Sequence, residues 1–160
     1  MSVSIGDKVP DIEIKTMGPE GGPVVVRTGE ALGTGKVVLF AVPGAFTPGC
    51  SKVHLPGFIA QAAELKAKGV DTIACVAVND AWVMDAWGKS QGVGDKILML
   101  ADGSGEFTRA MGLVLDVSAV GLGSRSKRYA SIIENGVITS LDIDESGITD
   151  SSCEAVLGKL

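Results

Sequence analysis

Three apolar runs stand out along the chain. Val37-Val38-Leu39-Phe40-Ala41-Val42 is continuous and β-branched at its start, Val70 to Val78 carries Ile73, Ala74, Cys75, Val76 and Ala77, and Ile97-Leu98-Met99-Leu100 is a shorter third. Runs this short, apolar at successive rather than alternate positions, predict strands buried on both faces. Such strands suit a parallel arrangement covered by helices. The segments between them have helical spacing. Ser51 to Lys68 places Phe58, Ala62 and Leu65 on one face, with Gly69 as a stop signal and Pro56 as the cause of a kink or late start. Asp80 to Gln91 predicts a second helix capped by Asn79 or Asp80, and Glu106 to Met111 a third.

Further along, the pattern changes. Tyr129 to Glu134 and Val137 to Ile143 flank Asn135-Gly136. Asn-Gly between β-prone runs predicts a hairpin, because a type I′ turn needs φ > 0 at both central positions. Ser152 to Leu160 predicts a closing helix. The order β-α-β-α-β-α-β-β-α is that of an α/β protein and resembles a thioredoxin-like fold with N-terminal additions, a central mixed β-sheet flanked by helices. At 160 residues, without repeat, linker or low-complexity segment, positions 1–160 read as a single domain.

Composition narrows the picture. Hydrophobic residues make up 46% and charged residues 21%, which supports a packed core. Aromatics are only 4%, so Val, Ile, Leu and Ala must fill most of it. The net charge is −5, and basic residues occur singly or in short groups such as Arg125-Ser126-Lys127-Arg128, so there is no basic face for nucleic acid. No apolar run approaches the roughly 20 residues of a membrane span, and no membrane partner is expected. Met1 to Asp7 is neither a signal peptide nor an Arg-rich transit peptide. The expected location is cytoplasmic, with the plastid or the mitochondrial matrix after removal of a transit peptide as the alternative. The three cysteines, Cys50, Cys75 and Cys153, are odd in number and widely spaced, unlike a secreted disulfide framework. Reactive or buried thiols in a reducing compartment fit better.

Candidate chemistry concentrates in Pro43-Gly44-Ala45-Phe46-Thr47-Pro48-Gly49-Cys50. A buried strand ends at Val42, prolines and glycines fix a loop, and Cys50 follows where a helix begins. An ordinary thiol is only about 3% thiolate at neutral pH. Lowering its pKa to about 6 takes about 3.4 kcal/mol of preferential stabilisation of the anion. A helix N-terminus offers only about 0.3–1 kcal/mol, so a cation has to contribute, and Arg128, just before a strand, is the candidate. Thr47, three residues before Cys50, is placed to fold its hydroxyl back toward the sulfur or a substrate oxygen. Pro43 offers shielding from water and no competing N–H.

The spacing Pro-x-x-x-Thr-x-x-Cys, met by Pro43, Thr47 and Cys50, resembles the peroxidatic signature of the peroxiredoxins. The wider Pro-Gly-Ala-Phe-Thr-Pro-Gly-Cys-Ser-x-x-His-x-Pro-Gly-Phe resembles the type II class, which includes the plant enzymes and the mammalian atypical two-cysteine form. The likeness continues through Val78-Asn79-Asp80, Trp87-Gly88-Lys89, Ala101-Asp102-Gly103-Ser104-Gly105 and Gly121-Leu122-Gly123-x-Arg125-Ser126-x-Arg128-Tyr129, nearly the whole chain. It implies a thiol peroxidase that reduces hydrogen peroxide and organic hydroperoxides without metal, haem or other cofactor. Cys50 is then the peroxidatic thiolate, oxidised to a sulfenic acid. Arg128 corresponds to the family's active-site arginine, Thr47 hydrogen-bonds the thiolate and the reacting oxygens, and Pro43 limits solvent access. The resemblance further implies a resolving cysteine in the same chain, Cys75 in the plant-like position or alternatively Cys153. It also implies recycling by thioredoxin or by glutaredoxin with glutathione, and a non-covalent homodimer with Phe46, Trp82 and the Gly121-Leu122-Gly123 region as contacts. Resolution by Cys75 requires Thr47 to Lys52 to unwind, with the two thiols apart in the reduced state, because a disulfide needs Cα atoms within about 7 Å.

Plainer readings stand beside these. Cys75 sits among apolar neighbours as a core residue would. Cys153 follows two serines near the C-terminus and reads as uninvolved in catalysis. His54, one turn after Cys50, reads as hydrogen-bonded support for the helix. Arg125 reads as a salt-bridging or peptide-bonding residue, and Trp82 and Met84 as core or subunit contacts. A zinc site from Cys50, His54, Cys75 and Cys153 lacks a local chelating pair. A disulfide oxidoreductase would need Cys-x-x-Cys, whereas Thr47 and Val53 stand three residues either side of Cys50. A redox-sensing partner protein differs from a peroxidase in consuming about one peroxide per subunit.

Overall fold

The computed structural model describes residues 2–160. It opens with a hairpin, β1 Glu13–Met17 and β2 Pro23–Arg27, and a single helical turn, α1 Thr28–Ala31. The first buried run becomes β3 Lys36–Ala41. After the Cys50 loop come two short helices, α2 Leu55–Ala60 and α3 Ala62–Ala67, then β4 Thr72–Ala77, α4 Ala81–Gln91, β5 Leu98–Ala101 and α5 Glu106–Met111. A two-stranded ribbon follows, β6 Val114–Val117 with β7 Gly123–Ser126. The chain ends with β8 Arg128–Glu134, β9 Val137–Asp144 and α6 Cys153–Leu157.

Seven strands form one sheet in the order β2-β1-β5-β4-β3-β8-β9. The three apolar runs lie at its centre as parallel neighbours, and β1, β8 and β9 join antiparallel. Successive residues of a strand face opposite sides, which explains why these runs are continuously apolar. Val38 and Phe40 of β3 join one core with Phe58, Leu65, Trp87 and Val156 of the helices on that side. Val37, Leu39 and Ala41 join the other core with Phe107 and Met111 of α5. Cys50, Cys75 and Cys153 all belong to the first core.

Local signals are realised in detail. Asp80 caps α4, accepting a bond from the Val83 amide at 2.9 Å, and Gly92 ends it at φ 71°. Asn135 and Gly136 take φ 49° and 83° in the β8–β9 turn. Three features depart from the expectation. The single helix Ser51 to Lys68 is instead a π-helical turn over Cys50–His54 followed by α2 and α3, with a break at Gln61. Pro56 supplies the reason: it has no N–H, and its ring presses on the carbonyl four residues back, so the turn before it widens. The closing helix is shorter than Ser152 to Leu160. The β1–β2 hairpin and the β6–β7 ribbon are additional.

Candidate active site

The site forms where β3 runs out. Val42 makes one more sheet bond to the Val76 carbonyl, and the chain then turns through Pro43 to Pro48. Three loops are tied together here. The Ala45 amide donates to Asn79 Oδ1 at 3.0 Å, while Arg125 donates to the carbonyls of Leu122 (3.0 Å) and Val78 (3.3 Å). Arg125 is thus the peptide-bonding residue its sequence position suggested. Gly44 lets these side chains pack close at the crossing. A Cβ there would lie 3.0 Å from the Thr47 methyl and 3.2 Å from Arg125 Nη1.

Thr47 is turned back on its own loop. Its hydroxyl donates to the Gly44 carbonyl at 2.6 Å and does not bond the sulfur. A hydroxyl has one proton, so toward the site Thr47 Oγ1 is left with acceptor lone pairs only. The Ser51 amide donates back to the Thr47 carbonyl, and Trp87 Nε1 donates to Ser51 Oγ at 3.0 Å, pinning the turn that carries Cys50 to α4. Pro43 is half-buried at the head of the loop.

Cys50 is fully buried. β8 pairs with β3 so that Tyr129 lies opposite Ala41, which sets Arg128 beside the end of β3. From there Arg128 Nη2 donates to Cys50 Sγ at 3.3 Å. The same guanidinium reaches His54 Nδ1 through Nη1 at 2.9 Å, and His54 Nε2 meets the Ser151 carbonyl at 2.8 Å. A carbonyl only accepts, so the imidazole proton sits on Nε2 and Nδ1 receives the arginine. Burial, with the Arg128 charge, overrides the Ser151 bond and lowers the His54 pKa from its ordinary 6.5 to about 4. Phe40 and Phe58 pack against the ring, at centroid distances of 5.1 and 5.6 Å.

Cys75 lies opposite Phe40 in β4, and burial, then the nearby Cys50, push its thiol pKa far up against the pull of Arg128. Cys153 opens α6, its pKa raised to about 12 by burial and by Glu64 and Glu154. Among the described residues all three thiols are free, and no group of three or more His, Cys, Asp or Glu is arranged to hold a metal. A cleft of about 540 Å³ lies by the N-terminal ends of β4 and β5, and no cysteine lines it. The groups sequence reasoning missed are the Ser151 carbonyl and the use of His54 as a brace for Arg128. The one available signal was that His54 shares the helical face of Cys50.

The Redoxin family model matches residues 4–157. Peroxiredoxin-2E, chloroplastic, of Arabidopsis thaliana is 49% identical over 99% of this chain and 70% of its own length. Peroxiredoxin-2E-2, chloroplastic, of Oryza sativa subsp. japonica is 51% identical over 99% and 73%. The crystal structure of reduced Prx3 in complex with H2O2 from Vibrio vulnificus superposes with a TM-score of 0.92 at 47% identity, over 99% of both chains. With a lone cysteine thiol held under an arginine at the end of a central strand, and with relatives of this identity along its length, the chain belongs to the Redoxin family as a plant-like type II peroxiredoxin, a thiol-dependent peroxidase.

Proposed function

We propose that Cys50 is the peroxidatic nucleophile for hydrogen peroxide and organic hydroperoxides. The observation that carries this is the Arg128 Nη2 to Cys50 Sγ bond of 3.3 Å, with the other arm of the guanidinium held by His54. A cation bonded to sulfur favours the thiolate, the reactive form. The thiolate attacks the terminal oxygen of the peroxide. An S–O bond forms, the O–O bond breaks, and the departing alkoxide or hydroxide takes a proton to leave as alcohol or water, with Cys50 now a sulfenic acid. Thr47 Oγ1, its proton given to Gly44, accepts the hydrogen bond of the hydroperoxide O–H and so orients the substrate. Pro43 covers the loop and adds no N–H.

Cys75 resolves. Its sulfur attacks the Cys50 sulfenic sulfur, the hydroxyl leaves as water, and thioredoxin or glutaredoxin with glutathione reduces the resulting disulfide. The protein works as a non-covalent homodimer through Phe46, Trp82 and the Gly121-Leu122-Gly123 loop. Two relatives described as chloroplastic support the plastid as its compartment beside the cytoplasm. Among the described residues no helix is long and apolar enough to cross a membrane.

The test is peroxide consumption by single variants, with thioredoxin and glutaredoxin systems supplied separately. Cys50→Ser is expected to abolish turnover. Arg128→Gln should slow the peroxide step about 100-fold, the scale for losing one preorganised donor. Cys75→Ser should stop thioredoxin-coupled turnover while sparing turnover with a small dithiol. Full activity in Cys50→Ser overturns the reading, and a silent Cys75→Ser beside a crippled Cys153→Ser moves resolution to the C-terminal thiol.

A further inference from the structure

We infer that Asp144 is a positioning residue for the peroxidatic centre, acting on Arg128 through the Ser151 carbonyl and His54. The inference rests on the reading of Arg128 as the thiolate's partner. Asp144 ends β9, directly across from Arg128 in the β8–β9 pairing. Its carboxylate accepts all its bonds from one loop: Oδ1 from the Asp150 amide at 3.1 Å, and Oδ2 from the Thr149 amide (2.9 Å), the Ser151 amide (2.9 Å) and the Ser151 hydroxyl (2.7 Å). Burial raises the pKa of this acid, yet these bonds outweigh it and hold it at about 2. The loop 145–151 is therefore wrapped on an anion, and Ser151 within it is fully buried.

The consequence passes along hydrogen bonds whose direction is fixed. The wrapped loop aims the Ser151 carbonyl at His54 Nε2. That carbonyl fixes the imidazole proton on Nε2, leaving Nδ1 as an acceptor for Arg128 Nη1. With Nη1 held there, the other arm of the guanidinium, Nη2, lies on Cys50 Sγ. Without the carboxylate, three backbone amides lose their acceptor and the loop rearranges. His54 is then free to carry its proton on Nδ1, which would set a donor against the guanidinium and turn it from the sulfur. The loop also walls the site, since a Cβ on Gly49 would lie 3.6 Å from Ile148 Cδ1 and 3.4 Å from Arg128 Nη2.

The chain contains one histidine, so its ring nitrogens can be read in ¹⁵N NMR spectra without assignment. In the reduced wild type the expected signal is the Nε2–H tautomer at neutral pH. Finding Nδ1–H overturns the inference with no variant needed. Asp144→Asn should mix the tautomers and slow the stopped-flow reaction with hydrogen peroxide about tenfold, the lower end of what losing an outer hydrogen-bond partner costs at metal sites. Asp144→Glu, which keeps the carboxylate, should recover the single tautomer and most of the rate. In an Arg128→Gln background, Asp144→Asn should add almost nothing. Slowing with the tautomer unchanged, or slowing by the same factor in that background, overturns the inference. If Arg128→Gln is itself as fast as wild type, the reading of Arg128 falls, and this inference with it. If Arg128→Gln is slow and Asp144→Asn is not, only the inference falls.

Discussion

His54 is buried against Phe40 and Phe58 and faces the Arg128 cation, so protonating it in the folded state is unfavourable. Its pKa falls from 6.5 to about 4 on folding. Above pH 6.5 both folded and unfolded chains hold it neutral, and it contributes no pH dependence. Between 6.5 and about 4 the unfolded chain binds a proton that the folded one does not, so stability is lost as the pH falls. By pH 5 that loss is about 2 kcal/mol. Asp144, lowered from 3.8 to about 2, gives way only in more acid solution and leaves this window clear. Urea unfolding of the reduced protein at pH 6.5 and pH 5 should show the drop, and His54→Gln should flatten it. An equal slope in the variant would assign the loss to another group. At this scale a motif brought out Cys50 and Arg128 as candidates, and helical spacing brought out the position of His54. The partners that give His54 its role lie 97 residues away at Ser151 and 74 away at Arg128, beyond any local pattern. Thr47 was legible as a candidate. The acceptor its hydroxyl takes was not, because the Gly44 carbonyl is presented to it only by the turn of the folded loop.

At the scale of elements, the pairing of Cys50 with Cys75 is a question of which element yields. β4 lies between β3 and β5 and is bonded on both sides, so displacing Cys75 would break two ladders. Cys50 opens a widened turn whose Leu55 amide bonds the Cys50 carbonyl, and side chains rather than a sheet ladder tie it down: Ser51 to Trp87, Cys50 to Arg128 and His54 to Ser151. The turn is the weaker element, and it is the one expected to move when the proposed Cys50–Cys75 bond forms. Hydrogen exchange should therefore quicken at the amides of residues 49–55 when one equivalent of peroxide oxidises the protein, while β4 stays protected. Cys75→Ser should remove the change, and exchange appearing in β4 instead would reverse the assignment. The elements themselves were legible in proportion to their burial. β3 and β4 declare themselves as apolar runs because both faces are covered. β1 and β2 are short and largely exposed, and β7 is the polar Gly123-Ser124-Arg125-Ser126, so their pairing leaves little trace in hydrophobicity. The break at Gln61 has no breaker residue to announce it.

For the molecule as a whole, apolar surface collects at the end where the site lies. Arg125 and Asn79 tie the loops bearing Phe46, Trp82 and Leu122 together, and Phe46 and Trp82 are 56% and 62% exposed. Phe46 also holds φ 64°, a conformation that costs a non-glycine residue about 1–2 kcal/mol. An exposed ring on a strained backbone is unfavourable twice over in an isolated subunit, and a second copy packed on it would offset both terms. Aromatic anchors of this kind carry much of the energy of an interface, about 2 kcal/mol or more each when truncated. Trp82→Ala should therefore weaken the dimer about 30-fold, read by sedimentation equilibrium across a dilution series. Phe46→Gly should separate the two contributions. Removing the ring weakens association while relieving the left-handed strain, so the variant's subunits should be less dimeric and yet melt no lower than wild type at dilutions where both are monomeric. A wild type that sediments as a monomer at every concentration would show that these side chains face another partner or none.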